Sequence, residues 1–329
     1  MKVRRSKVNQ PALSLPSFAK INWSLQILGR RPDGYHEVNT LLQTISLHDD
    51  LHFEIDEGGG ISLSCDDPDI PSDDQNLIVQ AASELKKQFD VKAGVRVRLE
   101  KRIPAKAGLG GGSSNAAVSL LALTRLWGVP ASAAQLLEIA ATLGADVPFF
   151  LVGGCALATG IGATISPLPE HPDDGVHLIV ITPNASISTA KAYSALSSTA
   201  LTTSSNDTIL SNSHSEAKNR DLRPWPLQDS LKNDFESVIF DIEPEIRRTK
   251  GILLQAGALD ALLAGSGSSV FGVFISREDQ QRALKEIEPE VGWRIFPCVT
   301  VSRNEYLRAV GPLDIPFLRS FNSGSDIGA

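Results

Sequence analysis

Apolar and polar positions alternate near the start of the chain in the pattern of a half-buried β-strand. Ile21, Trp23, Leu25 and Ile27 occupy every second position. In an extended chain they share one face, and the residues between them share the other. On this pattern alone, the polar side is the solvent-exposed face of an ordinary edge strand. The polar residues are Lys20, Asn22, Ser24 and Gln26.

The same periodicities predict a chain that mixes strands with helices. Val95, Val97 and Leu99 alternate with charged residues and predict a strand. Residues 51–63 predict two short strands joined as a hairpin around three glycines. Helices are predicted over 77–85, 116–127, 132–144 (where Ser132 and Gln135 form a capping box) and 282–287, and further strands over 177–181 and 299–302.

The composition is that of an ordinary soluble globular protein, long enough for two domains. Of the 329 residues, 42% are hydrophobic and 21% are charged. The formal net charge of −7 argues against non-specific binding to nucleic acid or to an anionic membrane. An anionic substrate would therefore need local positive charge. The candidates are Lys20, Arg30, Arg31, Lys101, Arg102 and Lys106.

Cysteine usage and the absence of long apolar runs predict a cytoplasmic protein. Cys65, Cys155 and Cys298 form no Cys-x-x-Cys pair and cannot all be bridged, which favours a reducing compartment and no zinc site. No run of 18 apolar residues predicts a membrane span. Residues 1–15 contain four basic residues and no acidic one. They are predicted to be a flexible basic arm, with a short organellar targeting peptide as the alternative.

Two stretches of unusual composition divide the chain. Residues 167–174 are polar and contain proline, which is typical of a domain boundary. From Ser197 to Ser215, 11 of 19 residues are Ser or Thr, which predicts a linker-like insertion. The predicted organisation is an arm (1–15), an N-terminal domain (16–166), a C-terminal domain (167–311) with an insertion at 195–228, and a tail (312–329).

A glycine-rich stretch separates the strand at 95–99 from the helix at 116–127. It runs Pro104-Ala105-Lys106-Ala107-Gly108-Leu109-Gly110-Gly111-Gly112-Ser113-Ser114. Glycine lets the backbone bend sharply and approach a ligand, and a helix N-terminus adds unpaired N–H groups and about half a positive charge. These features predict a phosphate-binding loop. The spacing fits neither a Walker loop nor a dinucleotide fingerprint, and a plain flexible turn is the alternative.

Three motifs carry a resemblance to a known family. Pro-x-x-x-Gly-Leu-Gly-Gly-Gly-Ser-Ser-x-Ala, starting at Pro104, resembles the phosphate loop of the GHMP kinases, such as galactokinase, homoserine kinase and mevalonate kinase. Ala19-Lys20-Ile21-Asn22 and Asp33-Gly34-Tyr35-His36-Glu37 resemble one branch of that family, the 4-diphosphocytidyl-2-C-methyl-D-erythritol kinases of the non-mevalonate isoprenoid route. A third family motif runs from Leu262 to Gly272.

The resemblance implies two catalytic residues, Lys20 and Asp146. Asp146 would accept the proton of the attacking hydroxyl, and Lys20 would lower the pKa of that hydroxyl or steady the moving phosphate. Asn22 would lie beside Lys20 in the site. Without the resemblance, Asp146 would more simply cap the turn that follows it.

The resemblance also implies a site for a cytosine base. Tyr35 would stack on the ring and His36 would hydrogen-bond its edge, while Thr189 would contact the ligand and Tyr193 would complete an aromatic sandwich. The alternatives are a solvated His36 in a turn and an interfacial Tyr193 on a helix. The third motif would place Gly265, Ser266 and Gly267 against the phosphate loop, unless it is merely a tight turn before a strand.

The implied cofactors are ATP and Mg²⁺. ATP would contact the whole loop from Pro104 to Ser114, with the Ser114 hydroxyl near Mg²⁺. Asn76 would touch the adenine, with a role as a helix N-cap as the equal alternative.

The resemblance thus predicts an α+β, two-domain GHMP kinase fold, with a ribosomal-protein-S5-domain-2-like N-terminal domain and a ferredoxin-like C-terminal domain. The implied reaction is phosphorylation of the 2-hydroxyl of 4-diphosphocytidyl-2-C-methyl-D-erythritol by a monomer or weak homodimer. No nucleic-acid or membrane partner is expected. The rival hypotheses are another GHMP kinase and an inactive GHMP-like binding protein.

Overall fold

The computed structural model describes residues 12–169, 175–198 and 231–311, which form two β-sheets with packed helices. The first sheet contains β1 (Ala12–Arg30), β2 (His36–Asp56), β3 (Ile61–Cys65), β4 (Gly94–Glu100), β5 (Cys155–Gly160), β6 (Thr164–Pro167) and β8 (Lys232–Asn233), and the second contains β7 (His177–Thr182), β9 (Asp260–Leu263), β10 (Val270–Phe274) and β11 (Arg294–Val299). The helices are α1 (Leu77–Phe89), α2 (Gly111–Leu126), α3 (Ala133–Leu143), α4 (Phe149–Val152), α5 (Thr189–Ser198), α6 (Glu236–Ile242), α7 (Pro244–Gln255), α8 (Arg277–Glu286) and α9 (Arg303–Val310).

β1 and β2 form the long antiparallel pair at the centre of the first sheet. Three irregularities interrupt their register, one of them between Asn22 and Ser24. β1 is not an edge strand, because β8 pairs with it at Ser24 and Leu25. Its polar face is covered, and Lys20 and Asn22 expose only 3% and 2% of their surface. The interpretation of this face as an exposed one is therefore wrong.

β1 begins inside the predicted N-terminal arm. Residues 12–15 pair with residues 51–54 of β2, and Leu15 is buried in the core. The reason is that Leu13 and Leu15 extend the alternation of β1 upstream. Parts of three stretches named in the sequence analysis lie outside the described residues: residues 1–11 of the arm, residues 199–228 of the insertion and the tail over 312–329.

The hairpin predicted over 51–63 does not form. β2 and β3 both pair with β4, β2 antiparallel and β3 parallel, so β4 lies between them. Gly94, at the start of β4, allows this arrangement because its backbone approaches that of Gly60 closely. A Cβ atom on Gly94 would lie 2.0 Å from the carbonyl oxygen of Gly60, and the N–H of Val95 donates to that same oxygen.

Helices α1, α2, α3 and α9 cover the first sheet. In α1 the pattern predicted through Leu77, Ala81 and Leu85 forms a helix, and Ala81 and Leu85 are buried together with Ile78, while Leu77 is only half-buried. The predicted capping box at the start of α3 is present, with Ser132 and Gln135 bonded to each other's backbone N–H. These helices and the sheet enclose the larger apolar core.

The second sheet has the strand order β11-β7-β10-β9, with every pair antiparallel. Helices α5, α6, α7 and α8 pack against it and enclose a second core. A third apolar cluster joins the two sheets, and within it Trp23 of β1 meets Phe271 of β10 edge to face at 5.6 Å between ring centroids. The mixed α+β class predicted from the sequence is confirmed.

Two late segments of the chain complete the first sheet and its core. β8 lies between α5 and α6 in sequence, yet it pairs with β1 rather than with a strand of the second sheet. α9 buries Tyr306, Leu307 and Val310 in the first core. The two halves of the molecule are therefore interleaved along the sequence.

Candidate active site

Lys20 and Asp146 come together where the two sheets meet. Lys20 extends from the buried face of β1, and its backbone N–H donates to the carbonyl of Leu109 in the glycine-rich loop. Asp146 lies in the turn between α3 and α4. Its Oδ2 atom is 3.5 Å from the Lys20 Nζ atom, and its side chain is 40% exposed against 4% for Lys20.

The helix that follows Asp146 begins without a side-chain cap, so the capping role considered for this residue is not observed. Because the Asp146 carboxylate is half-exposed and lies beside the buried Lys20 ammonium, it can receive a proton from a ligand bound at its exposed side. The arrangement suits general-base chemistry on a bound hydroxyl.

The amide of Asn22 also meets Lys20. The Lys20 ammonium donates to Asn22 Oδ1 at 2.9 Å, and Asn22 Nδ2 donates to the hydroxyl of Thr40 at 2.7 Å. All three side chains are buried. The ammonium is therefore held between a neutral amide and the Asp146 carboxylate.

The glycine-rich loop leads directly into helix α2. The N-cap of that helix is Gly110, which has no side chain to satisfy the first N–H groups. Gly108 and Gly110 have φ values of +78° and +71°, and a Cβ atom on Gly108 would lie 1.9 Å from the carbonyl oxygen of Ala264. The N–H groups at the positive end of the α2 dipole lie beside Lys20, and an arrangement of this kind is suited to binding an anion.

The segment over 264–269 packs against this loop. The N–H of Ser269 donates to the carbonyl of Ala107, and a Cβ atom on Gly265 would lie 3.2 Å from the Lys20 Nζ atom. The buried amide of Asn233 in β8 donates to the carbonyls of Leu263 and Gly265 at 2.8 and 2.7 Å. The second sheet therefore supplies one wall around the Lys20 ammonium.

An aromatic pair lies within electrostatic reach of Asp146. The rings of His36 and Tyr193 stack with centroids 4.7 Å apart at an interplanar angle of 22°, and Tyr193 meets Phe235 edge to face. Burial, with a smaller contribution from Arg30, lowers the pKa of His36. Burial, followed by the negative charge of Asp146, raises the pKa of Tyr193 to about 12.

The other residues implied for substrate binding are placed differently. Tyr35 lies in the turn before β2 and is 62% exposed, so the ring that stacks on Tyr193 is that of His36. The hydroxyls of Thr189 and Ser266 are 3.1 Å apart, which brings the start of α5 against the 264–269 segment. Gly267 follows in that segment with a φ of +94°.

Asn76 is the N-cap of α1. Its Oδ1 atom accepts from the N–H of Ile78 at 2.9 Å, and its Nδ2 atom donates to the carbonyl of Pro71 at 2.7 Å. The capping alternative is the one observed in the structure. The contact with adenine stays a prediction.

Ser114 faces the protein interior rather than the phosphate side of the loop. It is fully buried and accepts a hydrogen bond from the hydroxyl of Ser17 at 2.7 Å. The hydroxyl of Ser114 thus has a partner within the protein, and its contact with Mg²⁺ stays a prediction. Ser113, the other residue of the Ser-Ser pair, is partly exposed.

Asp49 was not identified from the sequence, where His48-Asp49-Asp50 indicated only a polar break. It is fully buried, and it accepts from Lys101 Nζ at 2.9 Å and from the N–H groups of Arg102 and Ile103 at 2.8 Å each. A Cβ atom on Gly111 would touch both Ile103 and Lys101. Asp49 therefore fixes the segment that supports the first turn of α2.

The described residues lack two other kinds of feature. They contain no group of three or more His, Cys, Asp or Glu side chains placed to hold a metal ion. Across the same ranges, every helix is too short or too polar to cross a membrane.

Comparison with known proteins matches both halves of the chain to one family. Residues 76–154 match the GHMP kinases N terminal domain and residues 214–292 match the GHMP kinases C terminal model. The chain is 42% identical over 267 residues to the 4-diphosphocytidyl-2-C-methyl-D-erythritol kinase of Pelotomaculum thermopropionicum, which covers 80% of this chain and 90% of that protein. The chain belongs to the 4-diphosphocytidyl-2-C-methyl-D-erythritol kinase family.

Further comparisons agree with membership of this kinase family. A relative of the same name from Pseudomonas syringae pv. syringae is 40% identical over 276 residues, which cover 84% of this chain and 90% of that protein. The crystal structure of a 4-(cytidine 5'-diphospho)-2C-methyl-D-erythritol kinase aligns with a TM-score of 0.68 at 31% identity, over 88% of this chain and 99% of that one. The mevalonate kinase of Methanococcus jannaschii, at 14% identity and a TM-score of 0.65, shares the fold. The predictions of the family and of the GHMP kinase fold are confirmed.

Proposed function

We propose that the protein transfers the γ-phosphoryl group of ATP to the 2-hydroxyl of 4-diphosphocytidyl-2-C-methyl-D-erythritol, in the non-mevalonate route to isoprenoid precursors. The observation that carries the proposal is the 3.5 Å contact between Lys20 and Asp146 beside the α2 N-terminus. Membership of the kinase family supplies the substrate. We assign the protein to the cytoplasm, as a monomer or weak homodimer composed of the two predicted domains.

The ATP phosphates would lie on the N–H groups at the start of α2. No side chain caps that end of the helix, so the backbone can bind the anion directly. Mg²⁺ would arrive with the phosphates, since magnesium in such sites keeps several waters and takes few protein ligands. The half-exposed Asp146 carboxylate and the Ser113 hydroxyl suit that role. Mg²⁺ would neutralise charge on the phosphate oxygens.

The transfer follows from the position of Asp146. The substrate hydroxyl oxygen attacks the γ-phosphorus, its proton passes to Asp146, and the bond from phosphorus to the β,γ-bridging oxygen breaks to release ADP. The Lys20 ammonium stabilises negative charge on the moving phosphoryl oxygens. Asn22 and Asp146 together hold that ammonium, which needs no rearrangement during the reaction.

The cytosine would bind at the aromatic pair. A flat base can stack on the rings of His36 and Tyr193, or between them once they separate, and Tyr35 is exposed beside His36. At 4.7 Å between centroids the two rings are already in contact, so insertion of the base requires one of them to move. This pair distinguishes the proposal from a homoserine or mevalonate kinase, whose substrates carry no base.

Steady-state kinetics test the proposal. The purified protein with Mg²⁺-ATP should phosphorylate the cytidine substrate and neither mevalonate nor homoserine. Asp146→Asn should fold and lose about 10²–10⁴-fold in kcat, the usual loss for a missing general base. Asp241→Asn, an exposed acid of α6 paired with Arg247, is the matched control and should keep full activity.

Two outcomes would overturn the proposal in different ways. Wild-type turnover by Asp146→Asn removes that carboxylate from the mechanism. A wild-type protein that prefers mevalonate or homoserine, or that turns over no substrate, overturns the substrate assignment.

A further inference from the structure

Thr40 lies in the interior of the first sheet, with a paired strand on each side. It is on β2, between β1 and β5, where it pairs with Leu25 on one side and Ala158 on the other. Its side chain points into the buried region beside Lys20 and is 6% exposed by residue. The position of its hydroxyl is therefore set by backbone on both sides.

The hydrogen bonds around Thr40 have only one possible direction. Its hydroxyl lies 2.7 Å from the carbonyl oxygen of Ser24, to which it must donate because a carbonyl can only accept. A hydroxyl carries one proton, so the Thr40 oxygen can only accept from Asn22. The Asn22 amide must then present its NH₂ group to Thr40, at 2.7 Å, and its oxygen to Lys20, at 2.9 Å.

We propose that Thr40 is a positioning residue, which fixes the orientation of the Asn22 amide and so holds the Lys20 ammonium in place. The proposal deepens the proposed function, since it takes Lys20 as catalytic. If the amide turned over, its NH₂ group would face an ammonium that can only donate. Two donors would then oppose each other, and Lys20 would move away from its position beside Asp146.

The orientation matters because the ammonium has three protons to place. One goes to Asn22 and another points toward Asp146, 3.5 Å away. The third is available for the transferred phosphoryl group only while the first two are held. Thr40 touches neither ATP nor substrate in this arrangement, so its effect falls on the chemical step rather than on binding.

The first test separates the effect of the Thr40 hydroxyl from the effect of the side-chain shape. Thr40→Val has the same shape without the hydroxyl, and Thr40→Ser keeps the hydroxyl. We expect Thr40→Val to lower kcat about 10- to 100-fold, the factor expected for one lost hydrogen bond to a charged group. The KM values for ATP and the cytidine substrate should stay within roughly threefold, and Thr40→Ser should remain within about threefold of wild type in kcat. Wild-type kcat in Thr40→Val, or equal losses in both variants, overturns the proposal.

The second test asks whether Thr40 acts through Asn22. In an Asn22→Ala background, Thr40→Val should cause no further loss of kcat, because there is no amide left to orient. A loss that multiplies with that of Asn22→Ala would show a separate, structural effect and overturn the proposal. If Thr40→Val is insoluble, Thr40→Ala replaces it in both tests.

A third measurement does not depend on turnover. A crystal structure of Thr40→Val should show the Asn22 side chain rotated away from its present orientation, with its amide no longer within hydrogen-bond distance of Lys20 Nζ, while an unmoved side chain overturns the proposal. If wild type fails to phosphorylate the cytidine substrate, the proposed function fails, and this orientation still decides the role of Thr40.

Discussion

Replacing Asp49 with Asn should destabilise the protein and weaken ATP binding through Lys101. The variant keeps an oxygen that can accept from the N–H groups of Arg102 and Ile103, but it removes the negative charge beside the Lys101 ammonium, whose side chain is only 5% exposed. Breaking a buried pair by removing one partner costs about 3–5 kcal/mol. Because Lys101 keeps its hydrogen bond to the Ile103 carbonyl, we expect the free energy of unfolding to fall by about 3 kcal/mol, the lower value.

That loss corresponds to a clear shift in thermal melting. A change of 1 kcal/mol moves Tm by roughly 2–4 °C in a domain of a few hundred residues, so a fall of about 6–12 °C is expected. Since Ile103 and Lys101 contact the first residue of α2, the KM for ATP should rise while that for the cytidine substrate stays constant. Thermal melting monitored by circular dichroism and initial-rate kinetics measure the two effects.

The neighbouring carboxylate provides a matched control. Asp50 is 28% exposed by side chain and pairs with Arg102 at the surface, so Asp50→Asn should cost within about 1 kcal/mol. Adding Lys101→Met to Asp49→Asn should recover stability, because no unpaired ammonium remains. Equal melting temperatures for Asp49→Asn and Asp50→Asn, or a double variant less stable than Asp49→Asn, would refute the reasoning.

Two further predictions concern Gly153 and Tyr193. Gly153→Ala should unfold readily and give little soluble protein, because the φ of Gly153 is +67° and its Cβ would lie 2.2 Å from the Tyr306 ring. Gly128 has a similar φ of +63° but open space around it. Gly128→Ala should therefore lower the free energy of unfolding, measured by urea denaturation, by only about 1 kcal/mol. Equal costs would contradict the contact argument. Burial, and then Asp146, raise the pKa of Tyr193 to about 12, so the stabilisation is complete below the ordinary pKa of about 10 and is lost as pH rises toward 12. Urea midpoints at pH 9 and 11 should therefore fall more in wild type than in Tyr193→Phe, and parallel falls would exclude this linkage.

The sequence predicted best what depends on local pattern. The strand before the glycine-rich stretch is as predicted, and the helix after it forms, because the flanking periodicities differ sharply. The helix begins at Gly111, five residues before the predicted start, so the last two glycines belong to its first turn. The capping box at Ser132 belongs to the same class, since both of its hydrogen bonds close within one turn. The resemblance then brought Lys20 and Asp146 together, two residues that no periodicity connects.

What the sequence could not predict depends on contacts between distant segments. Asp49 resembles any surface acid in a polar break, and only the return of residues 101–103 buries it. The hairpin predicted over 51–63 is wrong because β4 lies between its two strands. Which strands pair depends on contacts between distant segments, and the local turn residues do not specify it. Thr40 has no motif at all, and its role follows from the direction of a single hydrogen bond.

Because β8 and α9 complete the first sheet and its core, the last part of the chain matters for folding during synthesis and for the effect of truncation. A chain that stops before residue 303 still contains Lys20, Asp146 and the whole glycine-rich loop. It lacks Tyr306, however, whose ring fills the space beside Gly153. The apolar core of the first sheet can therefore be completed only when nearly the whole chain has been synthesised. A late stop codon should abolish the enzyme as completely as an early one.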